Sequence, residues 1–179
     1  MLKKILLFFL LVVAVLVVVI AMQPSEFRIE RSTTIAAPPA DVFAQVNDFH
    51  NWQAWNPWGK IDPAMKETFE GPASGVGAGY SWTGNDDVGE GKMTIAESKP
   101  NDLIRVDLHF IKPMEGTSVA EFTFKPQGDG TQVTWSMAGH KNFMSKAFCL
   151  FVNMDKMIGD EFEKGLADMK TATEANQKK

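Results

Sequence analysis

Metal binding or nucleophilic catalysis in this chain would have to be built from three histidines, one cysteine and scattered carboxylates. His50, His109 and His140 stand far apart, with no cysteine pair or carboxylate at ligand spacing, so no metal and no cofactor is expected. Cys149 lies in the apolar run 147–152, where a lone thiol behaves as a small hydrophobe. The serine elbow, phosphate loop, dinucleotide fingerprint and zinc-binding helix are all missing. For proton transfer the candidates are Glu67, Asp107 and His109. Asp107 and His109, however, alternate with Ile104, Val106, Leu108 and Phe110, and would face solvent if that apolar face lines the interior. No catalytic set emerges.

Aromatic residues are the more distinctive feature. Trp52, Trp55 and Trp58, if helical, fall within a wedge of about 120°. Such a wedge either fastens a helical piece against a sheet or lines the rim of a cavity, where indole offers apolar contact and one N–H donor. Downstream of Met22 the chain holds 17 aromatics and 8 methionines against 8 Val, 7 Ile and 4 Leu. An interior of rings and flexible thioethers is either an aromatic core or one that holds an apolar guest.

These residues need elements to position them. The segment 27–36 reads as a strand, Pro38 and Pro39 open a helix over 38–46, and 49–58 is a second helical piece. Strands follow at 65–70, 78–83, 88–98, 103–111, 117–125 and 131–138, with turn signals between them. A helix is expected over 145–174, carrying the stripe Ala147, Phe151, Met154, Ile158, Phe162, Leu166 and Met169. Gly165 within it points to close packing. The order is α+β, a meander of antiparallel strands whose apolar face only the last helix is long enough to cover.

The first 22 residues stand apart. Residues 5–22 contain no charge and no helix breaker, enough to cross a bilayer, and Lys3 and Lys4 precede them. The positive-inside rule puts the N-terminus in the cytoplasm and the domain on the extracytoplasmic side, the periplasm in a Gram-negative cell. A cleaved signal with Val19-Ile20-Ala21 at its end, releasing a secreted domain, is the alternative, although the apolar run exceeds the usual length. The chain therefore divides into an anchor at 1–22, a linker at 23–26 and a domain at 27–175. The whole 179-residue chain carries −4, so without Lys3 and Lys4 the remainder carries −6, and nucleic acid is excluded as a partner. Oligomeric state is left open.

The sequence resembles the START-like (SRPBCC) superfamily with its helix-grip fold, in particular the polyketide cyclase/dehydrase-like branch. The resemblance rests on Ile35-Ala36-Ala37-Pro38-Pro39 with Val42-Phe43, on Trp52-x-x-Trp55-Asn56-Pro57-Trp58, and on Gly77-Ala78-Gly79-Tyr80-x-Trp82. It continues through Gly89-x-Gly91-x-Met93-x-Ile95, Gly130-Thr131-x-Val133-x-Trp135 and Phe162-Glu163-Lys164-Gly165-Leu166. The resemblance implies a curved antiparallel sheet wrapped around the C-terminal helix, with a cavity between them for a hydrophobic or amphipathic small molecule. On that basis Trp55, Tyr80, Trp82, Met93, Phe110, Phe122, Phe124, Trp135 and Met137 are expected to face the ligand from the sheet side, and Phe151, Met154 and Ile158 from the helix. A membrane-anchored domain binding a lipid-like molecule is the leading expectation. A cyclase-, dehydratase- or hydrolase-like enzyme, and an accessory domain without a ligand, are the alternatives.

Overall fold

The computed structural model describes residues 1–177. A helix, α1 (Leu2–Met22), leads into β1 (Glu26–Ile35), then α2 (Pro39–Asn47), a 3-10 turn (Phe49–Ala54) and the short α3 (Trp58–Ile61). Six strands follow: β2 (Lys66–Glu70), β3 (Gly79–Thr83), β4 (Glu90–Lys99), β5 (Leu103–Lys112), β6 (Gly116–Gln127) and β7 (Gly130–His140). The chain ends in α4 (Phe143–Cys149) and α5 (Met154–Asn176). The seven strands form one antiparallel sheet in the order β1-β7-β6-β5-β4-β3-β2, so the first strand closes onto the last. A register shift at Ala96 in β4 bends the sheet, as a bulge does. This is the α+β helix-grip architecture.

Strand alternation sorts the side chains as their sequence pattern implied. Ile104 and Val106 of β5, Phe122 and Phe124 of β6, and Val133, Trp135 and Met137 of β7 are buried on the concave face. Asp107 and His109 lie on the other face. The helix expected over 145–174 is instead broken into α4 and α5. Asn153 restarts the chain as an N-cap, its side chain accepting a hydrogen bond from the Lys156 N–H, and Asn142 caps α4 in the same way through the Ser145 N–H. An apolar stripe cannot reveal such a break, because both pieces keep the same spacing.

The tryptophan segment closes the end of α2. The last carbonyls of a helix have no partner within it. Here Asn51 Nδ2 donates to the Ala44 carbonyl, Trp55 Nε1 to that of Gln45, Trp52 Nε1 to that of Val46, and the Gly75 N–H to that of Asn47. Their distances are 2.9, 3.1, 3.0 and 2.9 Å. The spacing Trp52-x-x-Trp55 thus delivers two donors to two successive carbonyls while both rings enter the core.

The helix α5 lies across the concave face, with Phe162, Leu166 and Met169 buried against the sheet. Gly165 makes the approach possible, since a Cβ there would stand 3.0 Å from the Trp135 ring and 3.1 Å from Pro57. Arg31, on the concave face of β1, reaches up to α5, with Nε 2.9 Å from Glu163 Oε1 and Nη2 3.1 Å from Asp155 Oδ2. The guanidinium passes the helix at Gly159, where any Cβ would collide with it. Gly165→Leu is expected to overpack this contact and lose about 1–3 kcal/mol. Gly116→Ala, a position facing open space, should leave stability unchanged. Denaturant unfolding of the detergent-solubilised chain, followed by tryptophan emission, measures both.

Candidate functional site

The centre of the grip is a stack of rings. Trp135 lies between Phe162 of α5 (centroids 4.0 Å apart, planes at 11°) and Phe122 of β6 (5.0 Å, 26°). Trp52, Trp55 and Trp58 surround it edge-on at 6.3, 5.6 and 5.9 Å. Trp52 and Trp55 have their N–H groups engaged by α2, whereas Trp135 Nε1 is buried without a partner. Among the described residues it is the one buried side-chain polar atom in that state. A buried donor left unpaired costs about 1–3 kcal/mol, so the centre of this apolar interior holds a donor with nothing to donate to.

A second polar group sits at the β2–β3 edge. Tyr80 donates its hydroxyl to Glu67 Oε1 at 2.7 Å, and Gln53 Nε2 donates to Glu67 Oε2 at 3.1 Å. Burial, and then the hydrogen bond to the Glu67 carboxylate, hold the Tyr80 phenol far above its ordinary pKa. The phenol is a permanent donor here and a poor base.

The expected ligand-facing residues divide into three groups. Trp55, Tyr80, Trp82, Met93, Phe122, Phe124, Trp135 and Met137 are buried in one continuous core. Phe110, Met154 and Ile158 are half-buried against that core, together with Phe27 and Leu108. They form the looser end of the grip, under the first turns of α5. Phe151 corrects the expectation. It falls in the turn between α4 and α5, 84% exposed, because the helix that would have aimed it inward stops at Cys149. Of the acid–base candidates, Glu67 is brought to Tyr80, while Asp107 and His109 lie on the wet face.

Two of the depressions formed by the described residues lie away from the space between sheet and helix. One, about 400 Å3, crosses β4 to β7 on the wet face, where Lys92, Thr94, Asp107 and His109 point away from α5. The other, about 250 Å3, lies beside Phe49, His50 and Phe69. Sequence reasoning missed Arg31 and the Tyr80–Glu67 pair. The first had a signal, since Arg31 shares strand parity with the buried Ile29 and Ile35. The second pair comes from two strands whose register nothing local sets.

Tyr80 is the chain's one tyrosine, so its ionisation can be read alone. With its pKa raised on folding, its contribution to stability is complete below about pH 10 and falls as the pH rises beyond that value. In an alkaline titration the native chain should give no tyrosinate absorbance until it unfolds, and then the whole signal together. Glu67→Gln should bring ionisation to lower pH, and Tyr80→Phe should remove this source of pH-dependent stability.

The sequence profile of the family described as "Polyketide cyclase / dehydrase and lipid transport" matches residues 26–174. No curated protein matches. Protein CV1439 from Chromobacterium violaceum superposes with a TM-score of 0.60 at 15% identity, over 85% of this chain and 99% of that one. Ara h 8.0201 gives 0.58 at 12%, over 84% and 99%. DynU16, from the dynemicin biosynthetic locus, gives 0.56 at 10%, over 83% of this chain and 48% of its own. At these identities the structures share the fold. The family match spans β1 to α5, and the chain belongs to the polyketide cyclase/dehydrase and lipid transport family.

Proposed function

We propose that this domain binds a hydrophobic or amphipathic, lipid-like small molecule between the sheet and α5, anchored to a membrane by α1 and held on the extracytoplasmic side. The observation that carries the reading is the unpaired Trp135 N–H at the centre of an interior of rings and methionines. A guest with an apolar body and one acceptor oxygen suits it, gaining hydrophobic contact along its length and a hydrogen bond at the indole. Membership of a family described by lipid transport supports the same ligand class.

In the closed form Phe162 stacks directly on Trp135, so a ligand must displace the helix or its side chains to enter. The half-buried Met154 and Ile158 in the first turns of α5 are where that displacement costs least, and thioethers repack readily. The anchor reading is supported by α1. Its 21 residues have a single buried member, Ile20 against α4, so the described residues leave almost all of its apolar surface uncovered. Lys3 and Lys4 at its start favour a cytoplasmic N-terminus.

A second reading, acid–base catalysis, rests on Tyr80 beside Glu67. It requires the pair to meet a substrate, and Glu67→Gln would then abolish turnover while leaving binding intact.

Detergent-solubilised full-length chain should release an acyl or isoprenoid species on organic extraction, identified by mass spectrometry, and acyl probes should shift its tryptophan emission. Ile158→Asp, which charges the half-buried mouth, should weaken probe binding about tenfold or more, since burying one aliphatic side chain is worth roughly 1.5–3 kcal/mol. Clean extracts together with unaltered emission across the probe panel would overturn the proposal.

A further inference from the structure

Strand register gathers a set of segments at one end of the sheet. Glu26 of β1 pairs with His140 of β7, Ser118 of β6 with Gly139, and Phe110 of β5 with Gly116. The exit of α1, the whole of α4 and the β5–β6 turn therefore share this end. The turns at the opposite end are polar, Pro100-Asn101-Asp102 after β4 and Gly128-Asp129 after β6.

Among the described residues downstream of α1, ten large apolar side chains are exposed, and seven of them lie at the α1 end. Phe143, Met144, Phe148 and Phe151 come from α4 and the turn after it, Ile111 and Met114 from the β5–β6 turn, and Met157 from the start of α5. No residue of α4 is buried, and Phe143, Met144 and Phe148 stay exposed although α1 packs on the helix. The patch is bounded at the β3–β4 turn by Asp86 and Asp87.

We infer that this end of the domain docks onto the lipid bilayer, with α4 and the β5–β6 turn immersed at the boundary between headgroups and acyl chains. The inference rests on the anchoring proposed above. What selects lipid as the occupant is continuity with α1. The last turn of α1 packs on α4, burying Ile20, and Lys146 Nζ reaches the Ala21 carbonyl at 3.4 Å. A 21-residue helix rises about 31 Å, close to the hydrocarbon thickness, so its last turn ends at the level of the headgroups. A short helix held against that turn lies at the same level. Its rings can then enter the acyl region while Lys141 and Lys146 extend to the phosphates. Docked in this way, the mouth of the grip at Phe27, Met154 and Ile158 faces the leaflet, and an apolar guest passes between membrane and protein without crossing water.

The test uses the full chain with Cys149→Ser, reconstituted in phosphatidylcholine vesicles, with an environment-sensitive fluorophore on a single cysteine at Phe151→Cys, Val17→Cys or Asp129→Cys. These positions are exposed in the domain or in α1, so labelling does not disturb the core. Docking predicts that the label at 151 is blue-shifted and strongly quenched by lipids carrying a spin label near the headgroup, while the label at 129 emits as in water. If the label at 17 is quenched but that at 151 behaves like 129, docking is overturned and anchoring stands. A label at 151 that is blue-shifted yet unquenched is covered by protein, such as a second copy, and also overturns docking. Absence of quenching at 17 defeats the anchor itself and docking with it.

Discussion

Phe122, Trp135 and Phe162 form a three-ring stack that joins two strands of the sheet to the final helix, and the rest of the molecule is arranged around it. Stacked rings at these separations contribute both buried area and a preferred geometry, so they set the height of α5 above the sheet as well as holding it there. That height in turn requires a glycine at 165, where the helix passes the Trp135 ring and Pro57. It also leaves room for Arg31 to pass Gly159 and bind two carboxylates of the helix.

Around the stack, the polar accounting is nearly complete. The carbonyls at the end of α2 are met by Trp52, Trp55, Asn51 and Gly75, and Tyr80 is met by Glu67. Against that background the unpaired Trp135 N–H stands out, because it lies at the contact where α5 stacks on the sheet. The donor, the methionine-rich surroundings and the half-buried first turns of α5 are three expressions of one property: an interior closed by contacts that can be exchanged for others.

The molecule is also asymmetric from end to end. Polar turns occupy one end of the sheet, while the other gathers α1, α4 and the β5–β6 turn, all with uncovered apolar side chains. In water such an end is unfavourable, since the short α4 leaves Phe143, Met144 and Phe148 exposed. The same end holds the half-buried Phe27, Phe110, Met154 and Ile158, so the looser packing and the apolar surface coincide.

Much of the fold was legible locally. Alternation along β5, β6 and β7 sorted the core from the wet face, because a strand's side-chain period is fixed at two and survives any arrangement of neighbours. The apolar 5–22 segment and the buried residues 162–169 were equally plain, for the corresponding helical reason. What stayed hidden was whatever depends on one element meeting another. The break at Asn153, which turned Phe151 outward, came from capping that an unbroken apolar stripe conceals. The tryptophans of 52–58 announced themselves by type and spacing, yet their role as donors to α2 existed only once α2 ended beside them. The Tyr80–Glu67 pair and the stack on Trp135 join residues far apart in the chain through strand register and helix docking. Composition and period thus determined an anchor-like helix, an aromatic sheet and a covering helix, since those follow from each residue's own chemistry. Tertiary structure alone decided which donors are satisfied, which one is not, and which end of the grip lies beside α1, because these are properties of pairs brought together by folding.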